Sequence, residues 1–222
     1  MQLKTIATAL VVAGLAAAQN NTNTTAFDHG VAHIKTDKID ATFTFHEAAD
    51  GMNITVAVAS GLTTGYQILD VGFEYHVHDF PVGPNNNCTA TGAHLDPAKV
   101  GVAKPCDPQN LTSCQTGDLS GKHGNLVAVN NETGSIPTFS YLDSHLSFKG
   151  PANETLLGRS IVIHNNGTRI GCADLVVAGY TAPAANGTDP AGKPSADKPS
   201  GAAKLVGSLA LSGIVTLMMM AL

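Results

Sequence analysis

Nowhere in the 222 residues does a helical apolar period run for a useful length, and no internal repeat recurs. Phosphate-cradling, nucleic-acid-binding and nucleophile motifs are also missing, which sets aside nucleotide chemistry, nucleic-acid partners and covalent catalysis by a side chain. Positive charge is scarce. Twelve Lys and Arg against 17 Asp and Glu give a formal net charge of −5, so the chain repels anions at long range and any attraction of one must be local. Basic residues are lacking in one telling place: none follows the apolar stretch Leu205 to Leu222. A spanning anchor keeps lysines or arginines on its cytoplasmic side, so a single transmembrane helix is the poorer reading of that tail.

What the ends do contain points outside the cell. Residues 1–18 carry one early lysine, an apolar run from Ile6 to Leu15, and the small residues Ala16-Ala-Ala18, the three-part pattern of a secretory signal peptide. Small residues and a polar spacer precede the apolar tail 205–222, the layout of a signal exchanged for a GPI lipid anchor. A spacer of about 8–12 residues puts the attachment near Ser195, with Asn186 as the alternative. Asn-x-Ser/Thr acceptors occur at Asn20, Asn23, Asn53, Asn87, Asn110, Asn131, Asn153, Asn166 and Asn186. Segment 181–204, rich in Ala, Pro, Gly, Ser and Lys, reads as a disordered stalk. Residues 19–180 then form one domain of ordinary size. Glycan acceptors and solvent-facing loops favour a monomer.

Only four cysteines are present, and in an oxidising compartment they should pair. A local Cys106–Cys114 bridge is the economical choice and leaves Cys88 with Cys172, although three pairings exist.

Between the ends the pattern is strand-like. Alternation marks 41–45, 54–58, 72–80, 126–129 and 158–164, with a further candidate at 172–178, separated by Gly, Asn, Asp and Pro clusters. Such spacing argues for an all-β antiparallel sandwich or barrel. Within it, Gly72-Phe-Glu-Tyr-His-Val-His-Asp79 throws His76 and His78 to one face and Phe73, Tyr75 and Val77 to the other. His164 ends a similar run, and His94 sits in the turn-rich Thr91-Gly-Ala-His-Leu-Asp-Pro97. Imidazoles gathered from two strands and a loop make a transition-metal site, for which copper and zinc lead. His29, His33, His46 and His145 fall outside any ligand pattern.

These motifs, with Cys88, Gly117-Asp-Leu119 and Thr168-Arg-Ile-Gly-Cys172, stand in an order that resembles the copper/zinc superoxide dismutases over about residues 26–180. The resemblance implies a Greek-key β-sandwich with copper on its outer face. It further implies His76, His78, His94 and His164 as copper ligands, His94 in the bridging place, a Cys88–Cys172 disulfide, and Arg169 beside the copper to hold superoxide.

Departures from the family matter as much. The zinc positions correspond to His94, about Val102, Gln115 and Asp118; valine cannot ligate zinc and a glutamine amide does so poorly. His123 is the one nearby residue that could replace a lost ligand. Only Asn165-Asn-Gly-Thr168 separates His164 from Arg169, where the family has a long electrostatic loop. Together these features look like the fungal extracellular copper-only branch, with an open copper and no zinc. Asp118, with Gln115, is then expected to steady His94. The expected activity is dismutation of superoxide at the cell surface, membrane-attached through a GPI lipid, with a surface copper-binding or buffering protein on the same fold as the alternative.

Overall fold

The computed structural model describes residues 27–63, 72–130 and 132–182. The signal peptide, the apolar tail, nearly all of the stalk, and Ser195, Asn186, Asn20, Asn23 and Asn131 lie outside the described residues.

Alternation builds the first sheet. In β2 (Asp40–Ala48) Ala41, Phe43 and Phe45 are buried while Thr42, Thr44 and His46 face outward. β3 (Gly51–Ser60) buries Met52, Ile54, Val56 and Val58 in the same rhythm. With β1 (His29–Lys35), β5 (Ile136–Asp143) and the short β8 (Val176–Val177) they form a five-stranded sheet, ordered β5-β3-β2-β1-β8.

The second sheet has three strands in the order β4-β6-β7, from β4 (Glu74–His78), β6 (Ser160–Asn165) and β7 (Thr168–Asp174). All pairings in both sheets are antiparallel. Inward residues of the two sheets meet in one apolar core, Phe43, Phe45, Ile54 and Val56 on one side and Phe73, Tyr75, Val77, Ile161 and Ile163 on the other. Full burial of each such side chain stabilises the fold by about 1.5–3 kcal/mol before entropy is counted.

β4 is buried on both faces. Its outer face is covered because the chain between β4 and β5 folds back across it: Val77 N–H donates to Gly117 O, Leu95 N–H to Val77 O, and Gly117 N–H to Leu95 O. Gly117 is required at that crossing, since a Cβ there would stand 2.3 Å from Val77 O. This stitching places His94, Gln115 and Asp118 over the strand that carries His76 and His78.

Two strand readings change, and two strands are added. Residues 126–129 form no strand; Leu126 makes a single bridge to Phe73, and Val127 and Val129 are exposed. The 172–178 candidate splits between β7 and β8 at Leu175. β1 and β5 lack a clean apolar alternation, and sequence reading passed over both.

Candidate metal centre

Register puts the four histidines together. In the β4–β6 pair, Tyr75 faces Ile163 and Val77 faces Ile161 on the core side, so His76, His78 and His164 share the outer side. A bulge between Ile163 and His164 sets His164 opposite Arg169 on β7. His94 joins through an isolated bridge to His78. One ligand atom from each of His76, His78, His94 and His164 lies within 4.8 Å of the others, and all four residues are buried.

The surrounding hydrogen bonds say which nitrogen each ring presents. His78 Nδ1 lies 3.0 Å from Gly92 O, and a carbonyl only accepts, so Nδ1 carries the proton and Nε2 keeps its lone pair. His164 Nδ1 leans in the same way on Gly167 O at 3.5 Å. The two Nε2 atoms then face each other at 3.2 Å, lone pair to lone pair, an arrangement that a cation between them would relieve.

His94 is fixed by a longer chain of contacts. The Asp96 carboxylate accepts from Gln115 Nε2 at 3.1 Å, which turns Gln115 Oε1 toward His94 Nδ1 at 2.7 Å. A carbonyl oxygen there requires the proton on Nδ1, leaving Nε2 as the ligand atom.

His76 presents the other nitrogen. Its Nε2 meets Ser120 Oγ at 3.0 Å and Asp118 Oδ1 at 3.5 Å, while its Nδ1 is buried with no hydrogen-bond partner. Sequence reasoning assigned Asp118 and Gln115 to His94. Gln115 does meet it, and Asp118 lies against His76. Burial is the main cause, with the charges of His94, His164 and Arg169 adding to it, that holds His76 well below the ordinary imidazole range. The same causes hold His78 down to about 2. Both rings are neutral, the state in which imidazole ligates a metal.

Ser120 and Asp118 belong to α1 (Leu119–His123), a single turn whose N-cap is Asp118, accepting from Gly121 N at 2.7 Å. A buried ion pair fastens this turn to the far sheet. Lys122 Nζ lies 2.5 Å and His123 Nε2 2.9 Å from Asp143 Oδ2 at the end of β5. His123 also stacks on Tyr141, with centroids 4.1 Å apart, so it faces the β5 side. Sequence reading missed Asp96, Ser120 and the Lys122–Asp143 pair. Asp96 stands inside the His94 motif and was the one of these with a signal to follow.

Arg169 is braced against the loop that follows β4. Its NH1 donates to Cys88 O at 3.2 Å and Thr89 O at 3.1 Å, and its NH2 to Gly92 O at 2.6 Å. The Gly92 carbonyl thus serves both Arg169 and His78. A Cys88–Cys172 disulfide ties that loop to β7, and Cys106–Cys114 closes the small loop between them. Val102 is exposed on the surface. The β6–β7 turn is a two-residue hairpin at Asn166-Gly167, both with positive φ (50° and 76°), as a type I′ turn demands.

Comparison with known proteins fits this geometry. The family model described as copper/zinc superoxide dismutase matches residues 39–192. A cell surface superoxide dismutase [Cu-Zn] 4 of Candida albicans is 37% identical over 145 residues, covering 64% of this chain and 56% of the relative. A cell surface Cu-only superoxide dismutase 5 of the same organism is 37% identical over 148 residues, covering 64% and 58%. This chain thus spans somewhat over half the length of those relatives. The solved Cu(II) structure of Candida albicans superoxide dismutase 5 superposes with a TM-score of 0.57 at 34% identity, covering 72% of this chain and 99% of that one. On these grounds the chain belongs to the copper/zinc superoxide dismutase family.

Proposed function

We propose that the protein is an extracellular copper-dependent superoxide dismutase that works without zinc at the cell surface. The single observation that carries this reading is the convergence of four buried imidazoles on one point, with the Nε2 atoms of His78 and His164 facing each other at 3.2 Å. Residues present fit a copper ion: His76 would ligate through Nδ1, and His78, His94 and His164 through Nε2. Copper held there supplies one-electron exchange, by which one superoxide leaves as dioxygen and a second, with two protons, as hydrogen peroxide.

The chain's own residues do the rest. Gly92 O, Gly167 O, Gln115 and Ser120 hold the rings in the orientation and tautomer that point their lone pairs inward. Arg169, locked to three carbonyls, keeps a fixed positive charge close enough to bear on His76 and His78. That charge is the local attraction for an anion which the net charge of −5 cannot provide.

The absence of zinc is supported by His94 itself. With Gln115 Oε1 at 2.7 Å, its Nδ1 carries a proton on the side where a bridging histidine would offer a second metal its lone pair. Val102, exposed, offers no ligand atom. Relatives described as cell-surface proteins, one of them as Cu-only, support the location and the metal. A GPI lipid attached near Ser195 or Asn186 is the proposed anchor, and a monomer the proposed state.

Superoxide decay measured on the purified ectodomain, stripped and then reloaded, tests the reading. One bound copper and activity that follows copper and ignores zinc are expected. Copper binding without turnover would favour the buffering role, and activity requiring both metals would overturn the zinc-free assignment.

A further inference from the structure

The outer face of the five-stranded sheet carries another pair of imidazoles that the centre described above does not use. His29 on β1 and His46 on β2 are register partners, next to the Gly30–Phe45 pair that faces the core. Their side chains therefore leave the sheet together on the solvent side. The Nδ1 atoms lie 3.3 Å apart, and the ring centroids 4.3 Å apart at an interplanar angle of 41°. Two nitrogens bound to one tetrahedral zinc at about 2.0–2.1 Å stand roughly 3.3–3.4 Å from each other.

From this spacing we infer that His29 and His46 form a surface site for a borderline divalent transition ion, zinc(II) as the probe, with water completing the coordination. Neutral imidazole suits such ions, while calcium and magnesium prefer oxygen. Facing Nδ1 atoms on paired strands are preorganised for chelation, so little side-chain freedom is lost on binding. His33 stands on the same face but is engaged by Asp40 at 2.9 Å, which makes it the natural control. The site shares no residue with the four-histidine centre. It would add zinc to a protein whose chemistry does not use it, so a bare metal count would mislead.

The test counts zinc on the full chain with the central site already filled by copper. After equilibration with zinc(II) and removal of the excess, the unaltered protein should hold one zinc. His29→Gln and His46→Gln should each lose it, while His33→Gln keeps it. On the unaltered protein, zinc should also shift the imidazole proton resonances of His29 and His46 together. Copper content and superoxide decay should be the same in all four proteins. No zinc uptake by the unaltered protein would overturn the inference and leave a hydrogen-bonded pair. So would zinc that persists in His29→Gln and His46→Gln. The zinc count and the superoxide assay are separate readouts, so failure of the dismutase reading leaves this result intact.

Discussion

Asp143→Ala removes the carboxylate to which α1 is fastened. The side chain is fully buried and answers to three groups: Lys122 Nζ at 2.5 Å, His123 Nε2 at 2.9 Å and the backbone N–H of His145 at 2.9 Å. Its loss leaves the Lys122 ammonium, with 1% of its side chain exposed, holding only the carbonyl of Thr116 at 2.7 Å. Breaking a buried pair from one side costs about 3–5 kcal/mol, because the partner's charge stays buried. With a urea m-value of about 2 kcal/mol/M, the unfolding midpoint should fall by roughly 2 M. Adding Lys122→Met should recover a large part of the loss, since no charge is then stranded. Both midpoints are read from urea titrations followed by circular dichroism. A fall of less than 0.5 M, or a double variant no better than the single one, would refute the reasoning. The same variant bears on the metal centre: α1 carries Ser120 against His76, so copper affinity should weaken beside stability.

Acid should act through the same carboxylate. Burial alone would raise the pKa of Asp143. The hydrogen bond from His123 and the charge and hydrogen bond of Lys122 outweigh it and hold the group down to about 2 from 3.8. Its contribution, about 2 kcal/mol, is therefore complete above pH 4 and lost as pH falls towards 2, and Asp143→Ala should flatten that limb of the stability profile. Burial pulls Lys122 below its ordinary value despite Asp143; the cost of its buried charge is present at all lower pH and is relieved only as the group deprotonates at alkaline pH, so it leaves the acid limb alone. Gln115→Ala should lower copper affinity by about 10- to 100-fold and change the copper EPR spectrum, because His94 loses the group that fixes its tautomer. An unchanged spectrum would count against that role. Arg169→Ala should lower kcat/KM about tenfold or more and weaken its dependence on ionic strength, with copper content unaltered. Rates that respond to salt as before would remove Arg169 from anion attraction.

How far the sequence spoke for itself can be judged residue by residue. His76 and His78 were legible because strand alternation sorts them from Tyr75 and Val77 without any tertiary knowledge. The β2 and β3 alternations were equally plain. β1 was not, since His29, Val31, His33 and Lys35 sit on an open outer face with mixed polarity and small Gly30 and Ala32 on the inner one. β5 turns Phe139, Tyr141 and Asp143 inward, but with Pro137 near its start, an exposed Leu142 and a charged residue at the buried end, its polarity pattern hides that period. Residues 126–129 look like a strand because apolar and small residues alternate there, yet no partner pairs beyond Leu126, and pairing decides a strand. At the site, Gln115 was found by its departure from a motif. Ser120 depends on a helical turn meeting His76 on a strand 44 residues earlier, and the Lys122–Asp143 pair on the same turn meeting a strand about 20 residues further on, contacts that local pattern does not encode.

The Asn166-Gly167 turn joins β6 to β7 beside the four histidines. His164 and Arg169 are register partners one pair back from a hairpin whose link is as short as a hairpin allows. Such a link has no slack to swing aside or to fold down over the four histidines. On the dismutase reading, the entrance on this side would be a fixed aperture, and substrate would arrive without waiting for any part to move. Turnover there would be governed by diffusion and the nearby positive charge, and solvent viscosity, more than temperature-dependent loop opening, would be its natural brake.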